Sequence, residues 1–91
     1  MEQLPLEIDP RGVESLRASG AGFFFCDCRE AGEYAVARIE GASLIPMSEI
    51  QGRLGEFEPH RDERIVIHCH HGGRSLRVAM WLRRQGFAHA Q

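Results

Sequence analysis

This 91-residue sequence lacks the features that mark several large classes of protein. No apolar stretch approaches the ~20 residues that a membrane-crossing helix needs. There is no surplus of positive charge. The formal net charge is -2, which leaves nothing to neutralise a phosphate backbone and argues against nucleic acid as a partner. Cysteine is scarce and odd in number, at three. With no basic-then-apolar leader in residues 1–10, that count points to free thiols in a reducing compartment, and so to a cytoplasmic location. No internal repeat, low-complexity tract or linker interrupts the chain, so residues 1–91 read as a single small domain with a modest core.

What is present alternates between strand and helix signals. Residues 4–8 read as a short opening strand. Asp9 is a good N-cap, Pro10 suits the first position of a helix, and Gly20 or Gly22 ends it. Phe23-Phe24-Phe25-Cys26 is a continuous apolar run closed by Asp27, the pattern of a strand buried on both faces. Residues 31–37 are rich in helix formers. Residues 39–45 hold a Gly41 turn and a short apolar strand stopped by Pro46, and Ser48 is placed to cap a helix over 49–54. Residues 65–68 form the third clear strand. The best helix covers 76–85, with Leu76, Ala79, Met80, Trp81 and Leu82 as candidates for the core. Gly86 stands at its end, and Phe87 folds back on its last turn. Such alternation predicts a parallel α/β sheet covered on both faces. Ligands of such sheets sit beyond the C-terminal strand ends. Cys69 falls there, and so do Asp27, Cys28 and Arg29.

The chemistry concentrates at Cys69. The run Arg64-Ile65-Val66-Ile67-His68 delivers a thiol at a strand end, followed by His70, His71, Gly72, Gly73, Arg74 and Ser75 as the next helix begins. Gly72 and Gly73 let the backbone turn successive N–H groups inward, and the helix N-terminus adds partial positive charge. A cysteine held in such a ring is stabilised as thiolate, its nucleophilic form. Arg74, Arg77, Arg83 and Arg84 concentrate positive charge on one helix. This suits a small anion, although Arg83 and Arg84 equally complement the C-terminal dipole. Cys69 to Arg74 is C-x4-R, one residue shorter than the C-x5-R loop that cradles phosphate in cysteine-dependent phosphatases. The shorter loop favours a compact sulfur atom over a phosphoryl group. Cys26 and Cys28 share a strand face, but with His68, Cys69, His70 and His71 they match no standard zinc spacing, so no metal is expected.

Cys-His-His-Gly-Gly-Arg-Ser before an amphipathic helix resembles the active-site loop of rhodanese-type sulfurtransferase domains. Cys26-Asp27-Cys28-Arg29-Glu30 is similar to the family's strand ending in Asp-x-Arg-Glu. Ile39-Glu40-Gly41-Ala42 with Ile45-Pro46 resembles its "His-Ile-Pro-Gly-Ala…Ile-Pro" stretch, with Arg38 and Glu40 replacing the usual His and Pro. The resemblance implies a rhodanese-like three-layer fold, a short central parallel sheet with helices on both faces. It also implies a final strand and closing helix, of which only residues 88–91 would be the start. The last strand and helix therefore read as truncated, the chain being either shortened or completed by another chain.

The implied activity is sulfur transfer. Cys69 attacks thiosulfate or a protein persulfide donor, carries the sulfur as a persulfide, and passes it to a thiol or cyanide, without a cofactor. The loop residues His70 to Ser75 cradle the sulfur, and Arg74 orders the loop or helps hold the anionic donor. Asp27 and Arg29 read as a supporting ion pair, and Cys28 as a candidate resolving thiol. Two alternatives remain open at this point: arsenate reduction or phosphate-ester hydrolysis on a related cysteine loop, and a non-catalytic regulatory or binding module.

Overall fold

A computed structural model describes residues 4–20 and 22–91. Helix α1 covers Pro10–Ser19. Asp9 precedes it in extended backbone, and its carboxylate accepts the Gly12 N–H at 2.7 Å. Pro10 occupies a position where no N–H is required. Gly20 ends the helix in the left-handed region, at φ 73°. Strand β1 is Phe23–Asp27, helix α2 is Ala31–Val36 and strand β2 is Ser43–Leu44. Two 3-10 segments, Met47–Glu56 and Glu58–His60, lead to strand β3 at Arg64–His68 and helix α3 at Gly73–Arg84. Helix α3 closes as its sequence predicts. Gly86, at φ 96°, donates to the Arg83 carbonyl at 3.1 Å, and Phe87 donates to Leu82 at 3.0 Å. This is the double bond of a Schellman turn.

The strands form a parallel sheet in the order β2-β1-β3. Phe23 pairs with Arg64 at one end of the β1–β3 ladder, and Asp27 pairs with His68 at the other. On the far side of β3 the end of the chain joins in. Ala90 bridges Ile65 in parallel, and the Ile67 N–H reaches the Gln91 carbonyl at 2.8 Å. Because side chains alternate along a strand, the sheet divides the core in two. Cys26, Cys28, Ile65, Ile67 and Cys69 pack beneath α3 with Val78, Leu82, Phe57 and Phe87. On the other face Phe25 and Val66 lie against Ile8, Val13 and Leu16, the last two from α1.

Three local expectations are corrected. Residues 4–8 form no strand. Pro5 has no N–H for a ladder, and the Leu4 and Pro5 carbonyls are taken by the Arg83 guanidinium at 2.6 and 2.9 Å. Ser48 caps no α-helix. Its hydroxyl donates to the Glu30 carboxylate at 2.7 Å, and Met47–Glu56 is a 3-10 segment broken at Arg53, in a stretch carrying Gly52 and Gly55. Met80 is exposed rather than in the core, because Val78, Ala79 and Leu82 are the residues that define the inward stripe of α3. Among the described residues, no helix is long and apolar enough to cross a membrane.

Candidate active site

β3 delivers Cys69 to the C-terminal edge of the sheet, one residue past the ladder. The chain then turns sharply. Gly72 adopts φ 86° at the N-cap of α3, a left-handed conformation costly for any residue with a Cβ. The turn directs the Gly72 N–H onto the Cys69 Sγ at 3.0 Å, and the Ser75 N–H joins it at 3.2 Å. The Ser75 Oγ lies 3.4 Å from Sγ, as acceptor of the thiol proton, and donates its own hydrogen to the Gly72 carbonyl at 3.0 Å. When the thiol ionises, that hydroxyl is free to turn toward sulfur. Burial works against the thiolate here. The Ser75 hydroxyl and the backbone N–H groups of Ser75, Gly72 and Arg74 outweigh it and hold Cys69 below the ordinary cysteine value.

The other two cysteines are set the opposite way. Desolvation drives the Cys26 thiol far up, and burial followed by the charge of Cys69 pushes Cys28 up to about 12. All three are free, but only Cys69 sits where N–H groups converge on sulfur.

Arg74 belongs to the scaffold of the loop. Its two terminal nitrogens meet the two Glu33 oxygens at 2.6 and 2.8 Å, a fork that ties the first turn of α3 to α2. The Arg74 hydrogen bonds hold the Glu33 carboxyl down at about 2. Asp27 and Arg29 form a second, more deeply buried pair. The Asp27 carboxylate accepts the Arg29 N–H at 3.0 Å and its guanidinium at 2.8 Å, and the same guanidinium reaches the Ala37 carbonyl at 2.7 Å. Burial raises the Asp27 pKa, yet the Arg29 bonds prevail and keep it below the usual carboxylate value. The pair fixes the end of β1 to the segment after α2.

His70 and His71 are both exposed, their rings edge to face at 4.2 Å. Glu33, His68 and a cavity also contribute to the site. Glu33 orders the loop from 41 residues away, a separation no local pattern discloses. His68, half-buried and pushed toward its neutral form mainly by burial, stands beside the site. A cavity of about 460 Å³ opens there between α1 and the sheet, walled by Val13, Arg17, Phe25, Val66, His68 and Cys69. Among the described residues, no group of three or more His, Cys, Asp or Glu side chains is placed to hold a metal ion.

A parallel α/β domain that directs backbone N–H groups onto a cysteine at a strand end defines a class, the cysteine-loop α/β domains. Residues 12–91 match the model of the rhodanese-like domain, and the chain belongs to that family. It is 39% identical over 61 residues to YrkF of Bacillus subtilis, covering 67% of this chain and 32% of that one. It superposes on the human single-domain sulfurtransferase TSTD1 with a TM-score of 0.80 at 29% identity, covering 96% of this chain and 87% of that one. SSP1007 of Staphylococcus saprophyticus gives a TM-score of 0.78 at 29% identity, with coverages of 99% and 83%. The first curated relatives are longer proteins, of which this chain spans between 21% and 51%.

Proposed function

We propose that this chain is a sulfurtransferase domain that carries sulfane sulfur on Cys69. The observation that carries the reading is the pair of backbone N–H groups, from Gly72 and Ser75, that converge on the Cys69 Sγ. In the first step the thiolate attacks the outer sulfur of thiosulfate or of a persulfide donor. A new S–S bond forms, the donor S–S bond breaks, and sulfite or a thiolate departs with the electron pair. The same N–H groups then face the negative charge of the persulfide, as preorganised donors face a developing anion. In the second step cyanide or a thiol takes the outer sulfur and restores the Cys69 thiolate. This is a double-displacement scheme.

The name of TSTD1 supports the reading, and so does that of YrkF, which refers to sulfur carriage. Arg74 acts here by ordering the loop, since Glu33 occupies its fork. Asp27 and Arg29 hold the adjacent strand end. His70, His71 and Gly73 complete the loop through which donor and acceptor enter. Three free thiols fit a reducing compartment such as the cytoplasm.

Intact mass after incubation with thiosulfate tests the reading. The expected result is a gain of one sulfur on the parent chain, reversed by cyanide, and no gain on Cys69→Ala. A Cys69→Ala chain that gains the same sulfur would overturn it.

A further inference from the structure

Cys28 takes no part in those steps, yet the sheet brings it to Cys69. Asp27 and His68 are the last register partners, and Cys28 and Cys69 are the residues that follow each strand. The Cys28 N–H donates to the His68 carbonyl at 2.9 Å, so strand pairing extends to this level. Paired strands lie ~4.8 Å apart, inside the ~4.4–6.8 Å Cα window of a disulfide. Both side chains belong to the same apolar cluster, on the sheet face where Cys26 and Ile67 form the preceding pair. Gly72 and Ser75 approach the Cys69 sulfur from the loop, whereas Cys28, fully buried, lies on the core side.

We propose that Cys28 discharges the Cys69 persulfide from within the chain, releasing sulfide and leaving a Cys28–Cys69 disulfide when no external acceptor arrives. The inference rests on the sulfur-carrier reading of Cys69. The Cys28 thiol passes its proton to the outer sulfur of the persulfide and bonds to the Cys69 Sγ. The bond from Sγ to the outer sulfur breaks, and that sulfur leaves with the electron pair as hydrosulfide. The Cys28 sulfur is oxidised, the outer sulfur is reduced and the Cys69 sulfur is unchanged, so no outside oxidant enters. The product disulfide has lost its nucleophile until a thiol reductant reopens it. Burial, Cys69 and Asp27 disfavour the Cys28 thiolate, and Arg74 only partly offsets them. The discharge is therefore slower than transfer to an external thiol, and it serves as an overflow route.

The test charges the whole chain with thiosulfate and, separately, with inorganic polysulfide, removes the reagent, and follows free sulfide and non-reduced peptide maps with no thiol present. The parent is expected to release one equivalent of sulfide and to yield linked Cys28 and Cys69 peptides. Cys28→Ala and Cys28→Ser keep their persulfide and lose the release, while Cys26→Ala behaves as the parent. Sulfide released from the Cys28 variants as from the parent overturns the proposal, as does a persulfide that persists on the folded parent. The parent's peptide map decides the matter even if both Cys28 variants misfold. A chain that accepts polysulfide but not thiosulfate removes thiosulfate as donor and still tests the discharge.

Discussion

Cys69 differs from Cys26 and Cys28 by its surroundings alone. All three are largely buried, but two N–H groups and a hydroxyl lie about the Cys69 sulfur, whereas burial dominates at the other two. Its depressed pKa fixes the pH dependence. The reactive thiolate is present above that pKa and lost as pH falls through it, so the rate of sulfur loading rises with pH through a midpoint below the ordinary value of 9.0. Ser75→Ala removes the hydroxyl and leaves the backbone donors. A hydrogen bond to a charged group is worth ~1.5–3 kcal/mol, and part of this one is offset by leaving the Gly72 carbonyl, so the midpoint moves upward. Iodoacetamide alkylation rates measured across pH check the shift; an unmoved midpoint means that the hydroxyl serves only Gly72. The Cys69 loop was legible from sequence because its signal is local: a strand, two glycines and a helix start within a dozen residues. Glu33 was not, because the residue it orients lies on a different element.

At the scale of elements, the loop between β3 and α3 works through backbone geometry. Gly72 is where that geometry is most demanding, at φ 86° with its N–H on the Cys69 sulfur. The space around its would-be Cβ is open, so Gly72→Ala acts through the dihedral and not through a clash. The left-handed conformation costs an alanine about 1–2 kcal/mol. Relief of that strain rotates the N–H away from sulfur. Gly72→Ala is therefore expected to lower the melting temperature modestly and to slow sulfur loading several-fold, read by thermal unfolding and by the mass assay on one preparation. Equal loading rates would mean that the Ser75 N–H suffices. The helix ends were readable for the same reason as the loop. Asp9, Pro10, Gly20 and Gly86 act on their own neighbours. The 3-10 segment Met47–Glu56 and the unpaired residues 4–8 were not, because long-range side-chain bonds from Glu30, Arg83 and Gln91 decide them.

For the molecule as a whole, the buried Asp27–Arg29 pair is the most consequential polar contact, since it joins β1 to the chain beyond α2 deep under the sheet's edge. Asp27→Asn leaves a buried guanidinium without its counter-charge and costs about 3–5 kcal/mol, measurable by urea unfolding. The depressed Asp27 pKa stabilises the fold above the ordinary carboxylate range, and this stability is lost as pH falls through the folded-state value. The variant therefore also loses that acid limb of the stability profile. An unfolding free energy within ~1 kcal/mol of the parent would show that water reaches the pair. The sequence by itself determined the alternation of strand and helix, the place of Cys69 at a strand end and the bend beside it, because periodicity, caps and glycines act over a few residues. Tertiary structure alone decided the Glu33 clamp on Arg74, the chamber beneath α1 and the clasp of Arg83 on Leu4 and Pro5. Each of these joins groups far apart in the chain, and only the register of the sheet and the packing of helices across it bring them within bonding distance.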